Sequence, residues 1–208
     1  MCARYAIYCR PEELIEAFGL ASDTAVQANY NVCPTDMAPI VLQGATANEL
    51  KSYQFGLLPK WAEFEAPHMA SRFVNARAET VLKRPLFRTG IHSGRCLVVA
   101  NGWYEWTGPK GGKQPWYLHR GGAMFAFAGL SDNGSFSIIT VPASPDLEDI
   151  HDRMPLLLDE PLRWLSDLDE KNLARMLRPP EASTVERHRV AKTIGNVRAT
   201  GPQLIAPI

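Results

Sequence analysis

No stretch of this 208-residue chain approaches the roughly 18–20 consecutive apolar residues that carry a helix across a bilayer. The opening MCARYAIYCR has no basic flank leading into a long apolar run, so it does not read as a secretory leader. No membrane partner is expected, and the setting is cytoplasmic or nuclear. Cysteine is scarce. Cys2, Cys9, Cys33 and Cys96 are too few and too scattered for a disulfide framework, and none has the close spacing of a zinc knuckle or a histidine at a useful offset. Neither a stapled fold nor a metal site is expected. Glycine-rich phosphate loops, GxSxG, HExxH and Walker sequences are also missing, so no cofactor is expected. No break in composition marks a linker and no internal period is visible, so residues 1–208 read as one domain, long enough to bury a substantial core.

Net charge is absent as well: 22 basic residues balance 22 acidic ones, which argues against a non-specific polycation. The distribution is uneven. From Pro67 to Ala100, Arg72, Arg77, Lys83, Arg84, Arg88 and Arg95 face only Glu79; from Val141 to Lys171, acidic residues outnumber basic ones. Such a molecule has either one side able to meet phosphate or two solvated faces, and charge alone does not choose.

What is present is a series of short strands. Residues 2–8, 37–43 and 50–57 carry β-branched, aromatic or alternating apolar residues. So do CLVVANGWYEW at 96–106, KQPWYLH at 113–119, AMFAFAGL at 123–130 and SFSIITVP at 135–142, and the turn sequences GPKGG, HRGG and SDNGS suit an antiparallel meander. Helices are few. PEELIEAFG has proline and acids at its start and glycine at its end, VNARAETVLK reads as a loop entering a short helix, and two helical turns follow residue 160. Residues 59–71 form an irregular loop rich in large apolar groups, and the apolar tail VRATGPQLIAPI is expected to dock back. The expected fold is α+β: one domain of mostly antiparallel short strands in a distorted barrel-like core with a few short helices.

Chemistry can be sought first at the amino terminus. Methionine is removed when the next residue is small, so the processed chain should begin with Cys2, an amine and a thiol on adjacent carbons that titrate near about pH 8 and about 8.5. An aldehyde could condense with the amine to an imine, which the thiol closes to a thiazolidine. The plainer alternative is a small residue opening a first strand. Glu105 lies between Tyr104 and Trp106, and strand alternation puts it on one face with Trp103. It either pairs with an arginine or has a raised pKa and handles protons. His151, in IHDRMP, is either structural or catalytic. Asn75 and Arg77 in NARAE would project the same way from an extended backbone, suiting a phosphate or sugar oxygen, or they hold their own loop.

The segments MCARYA, YNVCPT, FGLLPKWA, NARAET, RCLVVANGWYEW, AFAGL, IHDRMP and NVRATGPQLIAPI, in this order over nearly the whole chain, resemble the SRAP family, the SOS-response-associated-peptidase-like proteins that sense and shield abasic sites in single-stranded DNA. The resemblance implies the SRAP fold and a DNA-repair function: a covalent crosslink through Cys2, with reversal and weak lyase activity as accompanying chemistry. It implies that Asn75 contacts the lesion and supports the terminal amine, that Glu105 is the acid/base carboxylate, and that His151 lies beside the opened sugar, near its normal pKa. Arg77 and Arg4 match basic DNA contacts, Arg72, Lys83, Arg84 and Arg88 fall where the DNA channel is lined, and Arg153 helps to shape the acidic and phosphate-facing parts of the pocket. Trp61, with Pro59 and Leu58, resembles a wedge that separates bases.

Departures are mild: Cys33 replaces a common alanine, Asn101 a frequent aspartate and Gly94 a common basic residue. The implied partner is single-stranded DNA containing an abasic site, with DNA junctions at stalled replication forks as a further candidate. The implied protein is a monomer, nucleoid-associated in a bacterium and nuclear in a eukaryote. Two other readings stand beside this one, a cysteine peptidase built on Cys2, Glu105 and His151, and a non-covalent single-strand-binding module.

Overall fold

Twelve short strands and five short helices are described in a computed structural model that covers residues 2–21, 25–58, 71–179 and 184–208. Trp61 and most of the loop around it lie outside the described residues. In chain order the elements are β1 (Tyr5–Ile7), α1 (Pro11–Phe18), β2 (Asn29–Val32), β3 (Met37–Leu42), β4 (Glu49–Phe55), β5 (Asn75–Arg77), α2 (Ala78–Val81), α3 (Pro85–Ser93) and β6 (Arg95–Ala100). They continue with β7 (Gly102–Thr107), β8 (Gln114–His119), β9 (Phe125–Asp132), β10 (Ser135–Pro142), β11 (Arg153–Pro155), α4 (Pro161–Leu165), α5 (Glu170–Met176) and β12 (Glu186–Arg189). Helix α1 forms as its sequence dictates: Pro11 sits in the first turn, and Gly19 closes the helix in the left-handed region at φ 62°, its N–H donating to the Ile15 carbonyl.

The strands form two sheets. One has the order β12-β8-β7-β1-β2, antiparallel throughout. The other has the order β11-β10-β4-β3-β6-β9, with β5 added alongside β10. Its ladder curls back because β10 also pairs with β9, while β10 meets β4 over only two residue pairs, Ser135 with Gln54 and Phe136 with Phe55. The result is a mixed α+β fold of mostly antiparallel strands whose barrel is distorted and incompletely closed.

The segment CLVVANGWYEW, expected as one strand, is two. The chain turns at Asn101, so that β6 stays in the barrel sheet and β7 enters the other sheet. Asn101 holds the corner with three bonds. Its N–H donates to the Ala6 carbonyl (2.8 Å), its Oδ1 accepts from the Tyr8 N–H (2.8 Å), and its Nδ2 donates to the Gly122 carbonyl (3.3 Å). Strands β2, β5, β11 and β12 and helix α3 were not expected; the strands span only three or four residues, too few for a period of two to register.

Period-two alternation gives the five-stranded sheet two buried faces. Tyr5, Ile7, Trp103 and Leu118 join the main core with Ile40, Val98, Phe127 and Ile138 of the barrel sheet. Ala6, Tyr104 and Tyr117 point the other way and are covered by Val190 and Ile194, which follow β12, and by Leu204 of the carboxyl-terminal tail. The tail docks as its apolar composition predicts. Asn31 fixes it by donating Nδ2 to the carbonyls of Asn196 (3.1 Å) and Ala199 (2.9 Å).

Gly102 has no room for a side chain, since a Cβ there would lie 2.3 Å from the buried ring of Tyr117. Gly102→Ala is expected to destabilise the protein by about 1–3 kcal/mol in urea denaturation, the usual cost of overpacking. A loss below about 0.5 kcal/mol would mean that the Tyr117 ring gives way freely.

Candidate active site

Cys2 precedes β1, and the bond from the Tyr104 N–H to the Arg4 carbonyl (3.0 Å) lays this segment alongside β7. Asn75 reaches it from β5, whose parallel pairing with β10 sets Asn75 opposite Ile138. The Asn75 Nδ2 donates to the Cys2 carbonyl (2.9 Å) and to that of Val74 (3.0 Å). Its Oδ1 is buried and accepts no hydrogen bond from a described residue, which leaves an acceptor available next to Cys2.

In the chain that still begins with Met1, Cys2 is fully buried, its accessible surface 0%. Burial first, and the nearby Glu105 charge second, push its thiol far above the ordinary range, so the sulfur is held as a neutral thiol. Glu105 is itself only 4% exposed. Burial pushes its carboxyl up to about 7, with the positive charge of the terminal ammonium as the largest opposing influence. Of the two readings of Glu105, a raised pKa matches the proton-handling one; a guanidinium partner would have pulled the value down.

His151 lines the same narrow cavity as Glu105, walled by Trp103, Leu118, Leu147 and Ile150 and with space for about one water molecule. Two groups compete for its Nδ1: the Arg153 N–H donates to it at 3.0 Å, and an Asp152 carboxylate oxygen lies 2.8 Å away. The neutral ring satisfies the first and the protonated ring the second, so one proton exchanges one partner for the other. Burial lowers the pKa of His151, followed by the terminal ammonium, against the pull of Asp152. The expectation of a near-normal value is corrected accordingly. Lys113, in the β7–β8 turn, acts electrostatically on both Glu105 and His151. Nothing in GPKGGK distinguishes it from Lys110, so sequence reasoning missed it.

The basic residues divide into two groups. Arg72, Arg77, Lys83, Arg84 and Arg88 are exposed and make no ion pair with a described residue. Arg77 follows Asn75 by two on the extended β5, and Arg84 and Arg88 lie at the start and in the first turn of α3. Arg153, by contrast, is committed within the protein. It grips Glu79 with both terminal nitrogens and donates Nη2 to the Thr140 carbonyl. In this arrangement it offers a phosphate nothing, but it neutralises the one acid of the basic stretch. Arg4 likewise turns to the tail side of its sheet, donating to Asn31 Oδ1 (2.9 Å) and the Ile194 carbonyl, with its guanidinium over Trp106. Arg95 is taken up by the carbonyls of Ile91, Trp164 and Ser166.

Cys2, held by an asparagine beside a buried carboxyl and a histidine, thus borders a basic strip that has no ion pair among the described residues. The sequence model for the family described as SOS response associated peptidase (SRAP) matches residues 1–197. The chain belongs to the SRAP family. It is similar to the abasic site processing protein YoqW of Bacillus subtilis, with 30% identity over 99% of both chains. It is also similar to the abasic site processing protein YedK of Escherichia coli, with 26% identity over 100% of both. A crystal structure of a protein from Bacteroides thetaiotaomicron shares the fold across 100% of both chains, with a TM-score of 0.86 at 23% identity.

The raised pKa of Glu105 in this SRAP protein links stability to pH. A carboxyl whose folded pKa lies above its unfolded value favours folding less as pH rises between the two, so stability should decline from about pH 4.5 to about pH 7. Glu105→Gln removes the titration and is expected to be more stable than the unaltered protein at pH 8, by an amount of order 3 kcal/mol at most, and equal to it near pH 4. Chemical denaturation across this range checks the sign; a difference that does not vary with pH would contradict the assignment.

Proposed function

We propose that the protein recognises abasic sites in single-stranded DNA and captures them covalently through Cys2 once Met1 has been removed. The observation that carries this reading is the hold of Asn75 on Cys2 beside a buried Glu105 carboxyl that burial pushes up to about 7. Membership of the SRAP family, and relatives named as abasic site processing proteins, support the same substrate.

An abasic sugar rests mostly as a closed hemiacetal. Glu105 and His151 move the protons that open it, a task suited to a carboxyl pushed up to about 7 and an imidazole whose lowered pKa keeps it neutral and ready to accept a proton. The Cys2 amine, oriented by the spare Asn75 Oδ1, adds to the aldehyde and releases one water as the imine forms. The thiol then adds across the C=N bond, its sulfur bonding to carbon and its proton passing to nitrogen, to close a thiazolidine. Glu105 protonates the ring for the reverse reaction, and strand cleavage from the imine is the minor branch. A cysteine peptidase, in contrast, needs a thiolate stabilised by a neighbouring positive imidazole. Burial and the Glu105 charge act on Cys2 in the opposite sense.

Denaturing gels with an abasic oligonucleotide test the chemistry. Cys2→Ala should bind DNA but leave no denaturation-resistant product, and a chain with one extra residue in front of Cys2 should fail equally, because the free amine is lost. A resistant product from either variant would overturn the mechanism.

The encounter with DNA rests on charge. Non-covalent affinity for single strands should fall with salt with a log–log slope of about 0.7 per neutralised phosphate. Replacing Arg84 or Arg88 by alanine should reduce that slope by about the same amount each. An unchanged slope in both variants would place the DNA elsewhere.

A further inference from the structure

We propose that Trp116 and Arg189 form a second nucleotide position beside the reacting centre, where an unpaired base of the same strand stacks on the Trp116–Arg189 pair and its phosphate meets the guanidinium. The proposal rests on the reading of Cys2 and Glu105 as the capture site. It begins from register. Strands β7, β8 and β12 are consecutive neighbours; Glu105 lies opposite Trp116, and Trp116 opposite Arg189. Directly opposed residues of antiparallel strands share a face, with Cβ atoms about 4.5–5.5 Å apart. Carboxylate, indole and guanidinium therefore form one row leading outward from the site.

Each member of the row is fixed differently. Trp116 is half-buried against the main core, and its Nε1–H donates to Thr107 Oγ1 at 2.9 Å, which locks the ring plane. The guanidinium of Arg189 lies 5.3 Å from the indole centroid, exposed and without an ion pair among the described residues. Arg187 approaches the same ring at 5.8 Å but is committed to Asp149, tying β12 to the turn that bears His151. Arg189 alone is thus an unspent cation held on an aromatic surface, at the outer strand of its sheet. An indole stacks on any base through its π-face, and an arginine donates hydrogen bonds to its phosphate. A strand whose damaged sugar sits at Glu105 has its next nucleotide within reach of this row. The basic strip on β5 and α3 serves the backbone elsewhere along the strand; this position adds a base contact that the strip lacks.

The test is affinity for an undamaged single-stranded oligonucleotide, read by fluorescence anisotropy. Arg189→Ala and Trp116→Leu should each weaken binding about tenfold, whereas Trp116→Phe should retain most of it, because stacking survives in a smaller ring. For Trp116→Leu the loss should be larger with the single strand than with a duplex of equal length, whose bases are already stacked. Arg189 is exposed, so its replacement keeps the question open to refutation even if a Trp116 variant fails to fold.

Binding by Arg189→Ala within about twofold of the unaltered protein would overturn the proposal, as would equal losses for single strand and duplex in Trp116→Leu. Crosslinking of the unaltered protein to an abasic oligonucleotide is scored alongside. If it crosslinks while Arg189→Ala binds normally, the second position alone is wrong. If it does not crosslink while Arg189→Ala binds weakly, the capture chemistry is wrong and the nucleotide position stands.

Discussion

At Asn101 the backbone leaves one sheet for the other, and the three hydrogen bonds that hold this corner set the orientation of everything downstream in β7. With the corner fixed, alternation along GWYEW has one outcome: Trp103 and Glu105 face the space between the sheets, while Tyr104 and Trp106 face the tail. The same bonds join Asn101 to Ala6 and Tyr8 on either side of the end of β1, so the strand that follows Cys2 is positioned by the corner too. A carboxylate is placed where water is scarce because the strand that carries it can turn no other way.

Low solvent access then does the chemical work. It raises Glu105 into the range where a carboxyl can both give and take a proton, lowers His151, and keeps the Cys2 thiol neutral. A neutral thiol is a poor peptidase nucleophile. Charge is handled by exchange between distant segments. Arg153 leaves the acidic stretch to cover Glu79 of the basic one, while Arg187 of β12 covers Asp149. The first exchange purifies the positive strip, and the second fastens the His151 turn to the sheet that carries Glu105.

Much of this was legible in the sequence, and the illegible part has physical causes. Alternation announced that Trp103 and Glu105 share a face, and the apolar tail announced its own docking. The strand break at Asn101 was marked only by the turn dipeptide Asn101-Gly102, which the β-prone runs on either side, VVA and WYEW, outweigh. The resemblance implies DNA-facing roles for Arg4 and Arg153, but it gives no sign of their partners Asn31 and Glu79, which lie far away in sequence. Burial of Cys2 was hidden for the same reason, since a terminus shows nothing of what packs over it. The pairing of Trp116 with Arg189 depends on β12, a four-residue strand with no pattern to detect.

The central claim is that one residue supplies both nucleophiles. Mass spectrometry of the product formed with an abasic single-stranded oligonucleotide tests this most directly. The account predicts a mass equal to that of the chain without Met1 plus the oligonucleotide less one water, with the modification confined to Cys2 and its amine no longer free. A product attached at any other residue, or one joined to Cys2 through sulfur alone with the amine still reactive, would contradict it.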